Sequence, residues 1–524
     1  MKVRSAIVLL VFLSFQSYAT RYYVNVNAFG TNNGLSWTDA FTNLQSALSV
    51  AIYNDEIWVA AGTYFTSDTN DRDISFVMKN GVNVYGSFSG IETSITQRDI
   101  ALFPTFLSGD IGAPGDNSDN TKKIIKIQNI ATNFILDGFK IVSGFDGSSS
   151  GEGAGAYIYN NSGGDIEIDN CVFYNNYSYY KGGAVSIDET NITFNNCEFY
   201  YNSSYNYGGG AIYSANVSNS NITLNNSKLI GNTSRSGGAI QFDGYTLKLD
   251  RCLISNNTAT SGSIIQVSDA NDFTISNSLI VGNLVQNNYS ASVISSYSIQ
   301  SNSTNLVNVT ICHNRNSTSF AIADEAIYKS NSSANIFNCI IYGNSMSDVN
   351  AQVNSGNNVV NCIIENGYAS GINIFNLDPL FVNSSDLASA PFDGSAFDYS
   401  LQSNSPAVNR GDNLFVTSFL YDYSGNTRIQ QGVVDLGAIE SSYLLSVSEN
   451  NKMDVKYFFD SGSNRLYFSD ICQIHDFEIS IYDVNGKLLE TSKISGSDLF
   501  LNYSKGIYIV KVGNASPFKI AIAK

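Results

Sequence analysis

The sequence predicts an all-β chain whose greater part is a right-handed parallel β-helix. Three periodic observations between Ile166 and Gly367 predict it. First, Cys171, Cys197, Ser227, Cys252, Ser278, Val309, Cys339 and Cys362 align as one column, with gaps of 23 to 31 residues. Second, the positions three before and two after this column are apolar in all eight repeats, from Ile168 and Phe173 to Val359 and Ile364. Third, the position five after it is Asn in every repeat but the last, from Asn176 to Asn344, with Gly367 closing the series.

Apolar residues two apart, with Val172, Glu198, Lys228 or Thr310 between, define strands with one face inward and the intervening residue toward solvent. The residue before the column is Asn in all repeats but one, where Arg251 stands. Asn tolerates left-handed backbone at a corner, and its amide can bond the same amide in the next layer. No repeat this short buries its own apolar face, so the repeats must stack, each strand pairing in parallel with its counterpart. Layers about 4.8 Å apart give the eight repeats a length of roughly 35–40 Å.

Composition agrees. Only 14% of residues are charged, Gly numbers 42 and Pro 6, and 43% are hydrophobic, so the chain is neither a highly charged cytoplasmic type nor disordered. At 524 residues it exceeds an ordinary domain, but a solenoid lengthens in one dimension. The net charge of −17 disfavours nucleic acid and anionic lipid as partners.

In chain order, Lys2 and Arg4 precede the apolar run Ala6 to Phe15, and Ser17-Tyr18-Ala19 offers a cleavage site. Residues 1–19 therefore read as a signal peptide, too short in its apolar run to span a membrane. Its removal leaves 26 basic against 45 acidic residues, a net charge of −19. Trp37, Phe41, Leu44, Leu48 and Ile52 then fall at helical spacing, with Thr38 and Asp39 placed as caps. This amphipathic helix is expected to cover the first coil. No integral membrane span is expected.

Several strings carry a family resemblance. Asn33-Gly34-Leu35-Ser36-Trp37-Thr38, then Ile57-Trp58-Val59-Ala60-Ala61-Gly62-Thr63-Tyr64, resemble the N-terminus of secreted bacterial right-handed β-helix proteins of the choice-of-anchor Q type. Val84 to Gly90, Leu107-Ser108-Gly109-Asp110 and Leu136-Asp137-Gly138-Phe139 are similar to later parts of the same family. Asp378 to Val382, Asn409 to Asp412, and Asp422 to Arg428 with Val434 to Glu440 look like its terminal layers, although members carry Tyr where Ile439 stands. The resemblance implies a solenoid over residues 20–440 and no single activity. Arg428 is expected to pair with Asp435 or Glu440 and seal the last coil.

After the polar linker 441–452 the pattern changes. Phe477 to Tyr482 alternates, Asp483-Val484-Asn485-Gly486-Lys487 turns, and Leu488 begins a return strand. With Lys505-Gly506-Ile507-Tyr508 and the basic terminus, residues 453–524 resemble the type A sorting domain of the bacterial type IX secretion system, a small antiparallel β-sandwich. The resemblance implies the type IX machinery as a partner and a mature rod secreted or attached to the outer cell surface.

Asp110, Asp116 and Asp119, with Asn117 and Asn120, gather in a Gly-containing loop whose oxygens suit calcium, although an ordinary solvated loop has the same composition. No cofactor is expected to be required, with calcium at this loop as the candidate ion. Five of the seven cysteines lie in the inward column, where Ser and Val replace them, so they read as small buried core residues rather than disulfides. Two histidines, His313 and His475, and no Cys-x-x-Cys leave no transition-metal set. Tyr174 and Tyr200 share one offset in the repeat, and Tyr179 and Tyr205 another, so stacked coils align them as files of rings on which a polysaccharide or surface glycan could lie.

Charges in the repeat, such as Glu167, Glu198, Lys228, Lys248 and Arg251, occupy scattered offsets and present no catalytic set. The reading is an exported, monomeric, adhesin-like or glycan-binding rod. A polysaccharide lyase or glycoside hydrolase on the same scaffold, and a passive envelope protein, are the alternatives.

Overall fold

The computed structural model describes residues 19–442 and 456–523, apart from 216–219, 287–291, 298–303, 317–326, 330–333, 345–352, 354–355, 385–388, 470–476, 495–497 and 513–516. The proposed signal peptide therefore lies almost entirely outside the described residues, as do Cys472 and His475. The chain divides into two compact units, one ending at Ser442 and one beginning at Tyr443.

The first unit is the expected parallel β-helix. Inward apolar residues stack in unbroken register: Tyr22 beside Ile57, then Val84, Leu136, Ile168, Phe194, Leu224, Leu249, Ile275, Leu306, Ile336 and Val359. The coils thus begin well before Ile166, because the upstream strings supply strands whose repeat length is disguised by longer turns. A second face runs from Thr63 beside Phe106 through Val172, Glu198 and Lys228 to Ile340 and Ile363. A third stacks Phe76, Ile125, Ala156, Val185, Ile212, Ile240, Ile265, Ile294 and Ile327. A short parallel sheet, from Phe145–Asp146 to Arg315–Asn316, forms the edge between the second face and the third. The stacked interior forms one buried apolar core along the coils.

The Asn residues divide the corner work. Those preceding the Cys/Ser column, and Arg251, sit at φ 48–54°. The column five residues later forms a buried ladder: Asn202 Nδ2 donates to Asn232 Oδ1 at 3.0 Å and to Phe199's counterpart one coil back, Phe173 O, at 2.9 Å. Asn232, Asn257, Asn283 and Asn314 repeat the pattern. The Cys/Ser column is more than filler, since Cys197 N donates to Ser227 Oγ at 3.0 Å and Cys339 N to Cys362 Sγ at 3.3 Å. All six described cysteines are buried and free.

Three expectations are corrected. The N-terminal helix is only Leu44–Val50, capped by Asn43, whose Oδ1 accepts from Ser46 N at 2.8 Å. Asp39 instead accepts from Thr31 N and Ser36 Oγ, and Trp37 turns aside to pack at 5.5 Å on Phe88. Phe41 forms a parallel bridge with Val24, which holds the preceding segment extended. Leu44, Ala47 and Leu48 still close the solenoid core.

The strings after Asp378 do not continue the coils, which end at Ile372–Phe375. The described residues between 379 and 441 instead return along the outside of the second face. Gly394 N donates to Ser255 Oγ, Ala438 N to Thr310 Oγ1, and Asp412 N to Asn338 Oδ1. Consequently Thr310, expected in solvent, is 2% exposed. Leu253, Leu279, Ile340 and Ile363, at the same outward offset, join Phe381, Tyr399, Leu401 and Leu436 in a second apolar cluster. Cys312 belongs to it too. Arg428 closes this segment by pairing with Glu440 at 3.3 Å.

The second unit has its own core around Leu466, Ile479, Ile481, Val510 and Ile520. It holds three- and four-stranded antiparallel sheets. Phe477–Asp483 pairs with Leu488–Ile494 across the expected turn.

Candidate functional site

The turns entering the third face position the site. Each ends in two glycines and an alanine: Gly182-Gly183-Ala184, Gly209-Gly210-Ala211 and Gly237-Gly238-Ala239. Gly182 takes φ 57°, and a Cβ there would stand 2.3 Å from Val185 O, so the turn can close only on glycine. The residues before the three pairs, Lys181, Gly208 and Ser236, bridge in parallel from coil to coil, and Lys181 bridges likewise to Glu152 in the coil before. The aligned pair in the middle turn is thus Gly209-Gly210.

Along the third face, alternation sends Ile187 and Phe242 inward and Asp188 and Asp243 outward. Tyr157, Ser186, Tyr213, Gln241 and Gln266 form the neighbouring outward file, in register. Lys181 Nζ lies 3.5 Å from Glu152 and 4.8, 5.3 and 5.7 Å from the ring centres of Tyr213, Tyr180 and Tyr207. Tyr213 is 3% exposed although it faces outward, because Tyr207 meets it edge-on at 5.7 Å and Lys181 covers it.

Two carboxyls on this face hold their protons more tightly than usual. Burial raises the pKa of Asp188, Glu152 adds to the effect, and Lys181 together with a hydrogen bond from Tyr157 opposes it. Burial and then Asp269 raise that of Asp243, again against Lys181. Glu152, Asp188, Glu189, Asp243 and Asp269 outnumber Lys181 and the two lysines beside Tyr157, Lys126 in register with it and Lys123 over its ring. The face can stack, hydrogen-bond and transfer protons, and its field is negative.

The four tyrosines singled out from sequence separate into two places. Tyr179 and Tyr205 stack along the edge beside this face, 5.4 Å apart, continued by Tyr180 and Tyr207 at 5.3 Å. Tyr174 and Tyr200 pair in register on the second face, where Tyr200 packs against the returning C-terminal segment and Tyr174 meets Tyr201 edge-on at 6.1 Å. Asp110, Asp116 and Asp119 turn inward on their own loop. Asp110 accepts from Gly115 N, Asp116 from Ser118 N and Asp119 from Ala113 N. Among the described residues, no three His, Cys, Asp or Glu side chains gather as a metal set.

No family model matches the chain, and no curated protein matches it. Among solved structures it is similar to one titled "Crystal structure of pectate lyase Pel9A". The TM-score is 0.47 and the identity 14%, covering 81% of this chain and 97% of that one.

Lys181, Asp188 and Asp243 were not legible as a group. Their offsets differ from the Cys/Ser column, and only the Gly-Gly-Ala turns, taken as the reference, bring Glu152, Lys181 and Ser236 into one file and Asp188 and Asp243 into another. A concavity of about 550 Å³, lined by Lys248, Asp272, Thr274, Asn305, Ser418 and Phe419, lies away from these residues, on the first face. Its lysine pairs with Asp272 at 3.5 Å, and no group of proton-holding acids meets there.

Proposed function

We propose that this chain is an exported rod that binds a glycan along the tyrosine edge and third face of its solenoid. The carrying observation is the double file of rings, Tyr179 with Tyr205 and Tyr180 with Tyr207, running into the Lys181 cluster. Ring faces receive sugar faces, and the phenols, Lys181 and Gln241 supply hydroxyl partners. The surplus of carboxylates favours a neutral polysaccharide over a polyuronate. In a glycan-array measurement, Tyr205→Ala with Tyr207→Ala is expected to weaken binding about tenfold, from the loss of ring stacking. Unchanged binding by that double variant removes the proposal.

Delivery completes the reading. Cleavage after Ala19 and recognition of residues 453–524 by type IX secretion would leave the rod on the cell surface or released. The leader pattern and the antiparallel hairpins of the C-terminal unit support this. A fluorescent protein placed between residues 1–19 and 443–524 is expected to reach the surface of a type IX-competent cell, and to remain periplasmic when residues 443–524 are removed.

A further inference from the structure

The two proton-holding carboxyls stand in one file. Asp188 pairs with Ala215 in the next coil. Phe242 pairs with Ser214, and Asp243 N donates to Ser214 O at 3.0 Å, so Asp243 follows beside Ala215. Asp188 and Asp243 are therefore two coils apart, roughly 9–10 Å at the strand spacing. Lys181 acts on both, and Tyr157 beside Asp188 also favours its ionised form. Asp243 Oδ1 is enclosed and has no hydrogen-bond partner within the chain, which leaves it open to a donor from outside.

We propose that Asp188 and Asp243 are the acid and base of a glycoside hydrolase that cleaves the bound glycan with inversion. The inference rests on the glycan-binding reading of the same face. Separation decides the stereochemistry. Carboxyls on adjacent coils would stand about 5 Å apart, as direct displacement by a carboxylate needs, whereas two coils leave room for a water, near the window of about 6.5–9.5 Å for inversion.

Asp188, held in its protonated form by burial and by Glu152, gives its proton to the glycosidic oxygen as the bond from that oxygen to the anomeric carbon breaks. Asp243, once it has given up its proton under the pull of Lys181, takes a proton from water, whose oxygen forms the new bond to that carbon. One water is consumed, a hemiacetal and an alcohol leave, and solvent returns each carboxyl to its starting state. Lys181 keeps the pair from being doubly protonated.

The test incubates the mature full chain with xylan, mannan, laminarin and polygalacturonate, measuring binding, new reducing ends and, by proton NMR, the first anomer formed. Expected are reducing ends from a polysaccharide that binds, an inverted first product, and at least a hundredfold slower release by Asp188→Asn and by Asp243→Asn with binding within threefold. A bound polysaccharide left intact, a retained anomer, or either folded variant working at the full rate overturns the inference while leaving glycan binding in place. Absence of binding to all four overturns both. Should either Asn variant fail to fold, Tyr157→Phe decides. Loss of the phenol, which lowers the pKa of Asp188, must move the alkaline limb of the rate profile to higher pH, and an unmoved limb counts against Asp188 as the acid.

Discussion

At the scale of single residues, the buried charges of the returning segment make the firmest prediction. Arg428 is 1% exposed, its guanidinium donates to Ala438 O and Gly437 O, and Glu440, Asp435 and Asp422 surround it. Three acids around one cation cannot all ionise without water. Burial accordingly pushes Glu440 up to about 8, against the pull of Arg428. A carboxyl raised in the folded state stabilises fully below its unfolded pKa and loses that contribution as pH rises through its folded one. Urea titrations are therefore expected to show stability falling by about 1.4 kcal/mol per pH unit between pH 5 and 8, and less steeply in Glu440→Gln. Thiols make a second expectation. Burial raises Cys171 and pushes Cys252 up to about 12, so the folded solenoid should react with a thiol reagent only on unfolding.

At the scale of elements, the Asn ladder and the glycine turns hold the coils in register. Asn232→Ala would leave Phe199 O and the amides of Asn202 without their partners in a dry interior. The expected loss is about 2–4 kcal/mol in chemical denaturation, several times that of an exposed Asn. Gly182→Ala forces a Cβ against Val185 O in left-handed backbone and should cost about 1–3 kcal/mol. That variant should also displace Lys181 and weaken glycan binding, whereas Asn232→Ala should leave binding intact. The short helix illustrates how neighbours overrule spacing. Trp37 and Phe41 fit a helical stripe, but Trp37 finds aromatic partners at Tyr23 and Phe88, and Phe41 finds a strand at Val24.

At the scale of the molecule, the returning segment behaves as a fitted cover. Between Leu253 and Ile363 the second face carries apolar residues outward, and the segment 379–441 buries them. A chain ending at Phe375 should expose Leu253, Leu279, Ile340 and Ile363, bind a hydrophobic dye and aggregate. A chain ending at Ser442 should melt as the full solenoid does, since each unit has its own core.

The sequence by itself determined the solenoid, its inward columns, the Asn corners and the C-terminal hairpin, because each is a local pattern copied from coil to coil. Apolar period and turn chemistry act within a few residues, so reading them needs no knowledge of distant partners. Only the tertiary structure decided that residues 379–441 run back outside the coils, so that Thr310 is covered rather than wet. Only stacking, too, brought Glu152, Lys181, Asp188 and Asp243 onto one face. Residues up to 91 positions apart in the chain become neighbours there through the small rise between parallel strands, a proximity that no linear spacing expresses.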